Sequence, residues 1–84
     1  MPKKFPSMRF NSVSEINDFV GVVKSAKGSV WIEHGDDVLQ IKSNLSMYVA
    51  IADMINSGAC LCCDDEDDEN MFYKFFTEHP QVII

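Results

Sequence analysis

The stretch "CLCCDDEDDEN", residues 60–70, decides how this chain is read. Three thiols fall within four positions, and six acids fall among the next seven residues. A zinc site needs thiolates that converge on one point, through repeated Cys-x-x-Cys spacing or added histidines. In an extended chain Cys60 and Cys62 leave one face, while Leu61 and Cys63 leave the other. His34 and His79 stand elsewhere, without ligand spacing. A calcium loop needs Asp and Gly at fixed positions, and this run has no glycine. The stretch therefore predicts a short strand of small, well-packing thiols. The acids that follow oppose the positive end of a helix and keep the turn solvated.

Elements on either side follow from that strand. Downstream, "ENMFYKFFTEH" predicts a helix with Met71, Phe72, Phe75 and Phe76 near one face, ended by Pro80, before the apolar tail "QVII". Upstream, "SNLSMYVAIADMINSG" predicts a helix with Ser43 as N-cap, Gly58 as stop and a stripe of Leu45, Tyr48, Val49, Ala52 and Ile55. "SVWIEHGDDVLQIKS" reads as a hairpin turning at His34–Asp37, where Gly35 can take positive φ. "SVSEINDFVGVVKSAKG" places Val13, Ile16, Phe19, Val20 and Val23 on one helical face. Ser12 and Glu15 form a capping box there, and Gly28 stops that helix. "MRFNS" is the first strand, preceded by a flexible leader over residues 1–7. The order β, α, β, β, α, β, α predicts one α+β domain over residues 8–84, a four-stranded antiparallel sheet with three helices on one face.

Bulk properties narrow the function. The chain has 84 residues, 46% of them hydrophobic, with a formal net charge of -6. Clustered Lys and Arg, which phosphate contacts require, are missing, so nucleic acid is not the expected partner. No apolar run approaches a membrane span, so no membrane insertion is expected. The odd cysteine number, with two of the three adjacent, predicts reduced thiols in a cytoplasmic protein. No catalytic triad, Gly-rich phosphate loop or metal constellation is present, so neither an independent enzyme nor a cofactor is expected.

Against that background, "VLQIKSNLSMYVA" resembles the strand, Lys-Ser and short-helix segment of HPr, the histidine-containing phosphocarrier family of the sugar phosphotransferase system. "KGSVWIEHGDD" resembles that family's hairpin, and "SEINDFVGVVKSA" its first helix in length and apolar spacing. "DEN", Asp68 to Asn70, is similar to the lead into its last helix. The resemblance covers roughly residues 8 to 78 and implies an HPr-like open-faced β-sandwich. It also implies a phosphate-carrying histidine at the first helix start, steadied by an arginine two residues later. Those positions hold Ser12 and Ser14 here. A phosphoserine is a stable ester, unlike the labile N–P bond of phosphohistidine. The serine of the family's Lys-Ser junction, phosphorylated by a regulatory kinase in many members, corresponds to Ser43. Two apolar contact positions of the family's partner-docking surface correspond to Leu45 and Tyr48. Met47 belongs either to that surface or to the core. Trp31 is open to either a sheet-face contact or burial.

Three functions follow as expectations. The first is an HPr-like protein-binding or regulatory module without histidine phosphotransfer, partnered by phosphotransferase-system components or a regulator. The alternative is an active phosphocarrier with an unusual acceptor near Ser12. The third is a small metal or redox protein using Cys60, Cys62 and Cys63.

Overall fold

A computed structural model of the chain describes residues 3–5 and 9–79. Pro80, expected to end the last helix, and the apolar 81–84 tail lie outside the described residues. Along the chain run β1 (Lys3–Lys4), α1 (Val13–Lys24), β2 (Val30–His34) and β3 (Asp37–Gln40). A 3-10 turn over Lys42–Met47 then leads into α2 (Tyr48–Asn56), β4 (Cys60–Cys63) and α3 (Glu66–Glu78). Three antiparallel strands form the body of the sheet, with β2 between β3 and β4. The two residues of β1 pair along the outer edge of β4.

The hairpin forms where the sequence places it. His34 pairs with Asp37 across the Gly35–Asp36 turn, and Gly35 takes φ 63, a left-handed value that glycine adopts without steric cost. Gly58 likewise ends α2 at φ 110. The reading of "CLCC" also matches the register. Cys63 sits opposite Val30 and Leu61 opposite Ile32, on the face that shares one hydrophobic core with residues of all three helices. Cys62 opposes Trp31 and Cys60 opposes Glu33 on the other face.

Several expectations are corrected. Residues 3–5 are not a loose leader: Phe5 is buried, edge-on to Phe72, Tyr73 and Phe76. The first pairing segment lies there, ahead of the "MRFNS" stretch, whose Arg9, Phe10 and Asn11 are outside any strand. Gly28 does not stop α1, which ends at Lys24 with Ser25 as its cap. Its role is close approach. A Cβ on Gly28 would meet Asp64 Oδ1 at 2.5 Å and Asp65 Cβ at 3.0 Å. The buried line of α1 runs Glu15–Phe19–Val23. Residues two apart on a helix differ by about 200°, so burying Glu15 turns Val13 outward, where it is 66% exposed. The acids are not merely a lead into α3: Glu66, Asp67, Asp68 and Glu69 are its first turn, capped by Asp65.

Candidate functional site

The start of α1 is where an anion carrier would do its chemistry, because free helix N-terminal amides attract negative charge. Here the chain supplies its own acceptors. Ser12 is extended, and its Oγ accepts from Glu15 N–H at 3.2 Å. The Glu15 carboxylate folds back and accepts from Asn11 N–H at 2.8 Å, one residue before the partner an ideal capping box uses. Just upstream, Phe10 N–H donates to Asn56 Oδ1 at 2.8 Å, which ties the entrance of α1 to the last residue of α2. Asn56 had no recognisable signal in the sequence, because a contact 46 residues away leaves no local pattern. Ser14 is exposed on the first turn.

Both imidazoles are engaged elsewhere. His34 closes the hairpin opposite Asp37. His79 stacks on Phe75 with ring centroids 4.3 Å apart. Its Nδ1 lies 3.0 Å from Phe75 O, and its Nε2 lies 3.8 Å from Asp18 Oδ2.

The Lys-Ser junction has a different local role from the expected cap. Ser43 lies within the 3-10 turn, and its hydroxyl donates to Gln40 O at 3.1 Å. Asn44 Nδ2 donates to the same carbonyl at 2.6 Å. Lys42 Nζ donates to Ala26 O, pinning this turn to the end of α1. The α2 N-cap position belongs to Met47, which makes no side-chain cap. Ser43 is therefore exposed and not consumed as a helix cap. Met47 is 56% exposed, and Val49, placed on the inner stripe by the sequence, is 59% exposed. The buried face of α2 is Ile51, Ala52 and Ile55. The Leu45 and Tyr48 side chains lie outside the described residues. Exposed Val13 at the α1 start and exposed Met47 and Val49 around the α2 start are apolar groups on elements that pack together.

The thiols separate as their alternation requires. Burial pushes the Cys62 thiol up to about 12, helped by its contact at 3.4 Å with the Glu33 carboxylate. Burial and the charges of Asp68 and Glu69 push Cys63 up to about 11. A reactive or metal-binding thiol needs the opposite shift. Among the described residues no group of three or more His, Cys, Asp or Glu side chains is arranged to hold a metal ion. Cys60 is half-buried, whereas Cys62 and Cys63 are closed off. An aromatic disulfide reagent is therefore expected to titrate one thiol in the native chain and all three in denaturant, read by absorbance. Rapid native reaction of all three would contradict this burial.

Glu33 organises the open sheet face. It accepts from Trp31 Nε1 at 2.9 Å and from the Cys62 thiol, and it lies 3.1 Å from Lys4 Nζ. The indole, ammonium and thiol hydrogen bonds hold its carboxyl below the usual range.

The acid run has a second task besides capping. Asp68 is 2% exposed, and its two oxygens accept from Lys27 N–H and Gly28 N–H, each at 2.8 Å. Asp64 Oδ1 accepts from Ser29 N–H at 2.9 Å. Asp67 pairs with Lys27 Nζ at 2.8 Å on the surface. Asp65 Oδ1 caps α3 by accepting from Asp67 and Asp68 N–H. Two concavities accompany these features. An apolar crevice between α1 and α2, lined by Ile16, Phe19, Ile51 and Ala52, holds only ≈ 10 Å³. A wider polar hollow of ≈ 310 Å³ is lined by Cys63, the Asp64–Glu66 acids, Glu69 and Asn70.

No helix among the described residues is long and apolar enough to cross a membrane. Neither protein-family models, nor curated proteins, nor solved structures yield a match to this chain.

Proposed function

We propose that this chain is an HPr-like domain that binds a protein partner in the cytoplasm and does not carry phosphate. The observation that carries the reading is the self-closed α1 start. The Ser12 hydroxyl holds the Glu15 amide, and the Glu15 carboxylate holds the Asn11 amide. A phosphoryl group there would meet a fixed carboxylate and find the Glu15 amide already taken, and both imidazoles are engaged elsewhere. The element order and the antiparallel sheet sharing its core with three helices support the family resemblance. Exposed Val13, Met47 and Val49 around the two helix starts support a protein-docking face, with Leu45 and Tyr48 as further contacts. The partner is a phosphotransferase-system component or a regulator. Ser43 is the regulatory position, because it is exposed and its hydroxyl bonds only within its own turn, donating to Gln40 O and accepting from Asn44 Nδ2. Phosphorylation there would add about two negative charges beside the docking face.

Incubation with phosphoenolpyruvate and the first enzyme of the phosphotransferase system is the test, with the acid stability of any product recorded. No acid-labile phosphate is expected on this chain. Labile phosphate on any residue would overturn the proposal and favour the phosphocarrier reading.

A further inference from the structure

β4 has the composition of an interior strand. Cys60–Cys63 carries no charge and no proline, and three of its four residues are buried. Sheets shield their outer strands with lysines, prolines and short lengths. β1 has those traits: it is two lysines long, and Pro2 and Pro6 flank it in the sequence. Its hold on β4 is brief. Lys3 pairs with Cys63 and Lys4 with Cys62, and Phe5 N–H donates to Leu61 O at 2.7 Å.

Alternation sends the next two side chains of this strap to different pockets. Lys4 reaches Glu33 on the open face at 3.1 Å. Phe5 enters a socket where its ring lies 5.9 Å from Phe72, 5.2 Å from Tyr73 and 5.2 Å from Phe76. The edge therefore presents a carboxylate for a cation and, one residue on, an aromatic box for a ring.

We propose that the β4 edge, Glu33 and the Phe72–Tyr73–Phe76 socket form a strand-acceptor groove for an extended partner segment carrying a basic residue followed by an aromatic one, with Lys4–Phe5 filling it in cis as an autoinhibitory strap. Strand addition draws affinity from main-chain hydrogen bonds and specificity from pockets for alternate side chains. The ion pair that helps hold the strap has an exposed Lys4 end and a half-buried Glu33 end, so it is a modest restraint. The cation requirement follows from charge complementarity with the Glu33 carboxylate, to which Trp31 Nε1 and the Cys62 thiol also donate. This groove is separate from the helix starts and does not rest on the phosphotransfer reading.

The test uses full chains and a fluorescein-labelled peptide copying residues 1–7, read by anisotropy. Phe5→Ala empties the socket, and Lys4→Glu loosens the strap without touching the core. Both variants are expected to bind the peptide at least tenfold more tightly than the unaltered chain. Replacing the peptide's phenylalanine by alanine is expected to abolish binding, and adding Glu33→Lys to Phe5→Ala to weaken it at least tenfold. Equal affinity for all chains, or indifference to the peptide's phenylalanine, would overturn the proposal. So would sedimentation of the unaltered chain as a dimer that Phe5→Ala dissolves, since the occupant would then be a second copy.

Discussion

Replacing Asp68 by alanine is expected to lower the stability of the chain by about 3–4 kcal/mol. Its almost fully buried carboxylate accepts from two backbone donors, Lys27 N–H and Gly28 N–H. A hydrogen bond to a charged group contributes about 1.5–3 kcal/mol, and two part-buried ones are lost here. Asp68→Asn retains one acceptor and turns an amide N–H₂ toward the other donor, so about 2 kcal/mol is expected. Gly28→Ala should cost on the order of 1–2 kcal/mol by overpacking, because the new methyl collides with Asp64 while that carboxylate holds Ser29 N–H. Lys27→Ala removes only an exposed ion pair and should change little. Urea titrations followed by the fluorescence of Trp31 measure all four. A fall below about 1 kcal/mol for Asp68→Ala would mean that solvent replaces the carboxylate and that the clamp is not structural.

Above pH 9 the chain is expected to lose stability steeply. The sign follows from proton binding. Cys62 and Cys63 hold their protons in the folded state to about 12 and about 11, while the unfolded thiols release theirs near 9. Between those values the folded state binds more protons than the unfolded one, so raising pH favours unfolding. Two thiols give an average slope of about 2 kcal/mol per pH unit between pH 9 and 11. That range alone consumes much of the roughly 5–15 kcal/mol typical of a domain. Lys4 and Lys27, raised by Glu33 and Asp67, lose their contribution in the same direction at higher pH. On the acid side Glu33 and Asp67 are lowered, so their contribution is present above about pH 4.5 and fades as pH falls through their folded values. Urea midpoints from pH 7 to 11 should fall in the unaltered chain and stay nearly level up to pH 10 in the Cys62→Ala/Cys63→Ala chain. Parallel curves for the two would show that the thiols do not control alkaline unfolding.

The thiol result bears on function as much as on stability. A cysteine that resists ionisation to such pH is a poor nucleophile and a poor metal ligand at neutrality. Crowding of three cysteines in sequence resembles a reactive site only while the direction of each side chain is ignored. Alternation along one strand assigns Cys63 to the core and Cys60 and Cys62 to the open face, and that much follows from residue order alone.

Local patterns were readable because their partners are near in sequence. Ser12 and Glu15 announce a helix start, Gly35 a hairpin turn and Gly58 a helix end, each through backbone groups within four residues. Phe72, Phe75 and Phe76 announce a buried face through helical spacing. The start of α2 was misplaced because Ser43 suits a cap, yet its hydroxyl finds Gln40 O first and the chain makes a 3-10 turn before the α-helix begins.

Tertiary structure alone decided the rest. Asp68 looks like any acid in a solvated run until α3 brings it to amides 40 residues earlier. Phe5 looks like part of a loose end until β4 and α3 together build its socket. Glu33 becomes a hub only when three strands align Trp31, Cys62 and Lys4 around it. Periodicity and capping record forces within one element, whereas a buried carboxylate, a docked ring or a shared hydrogen bond depends on which distant segments packing places side by side.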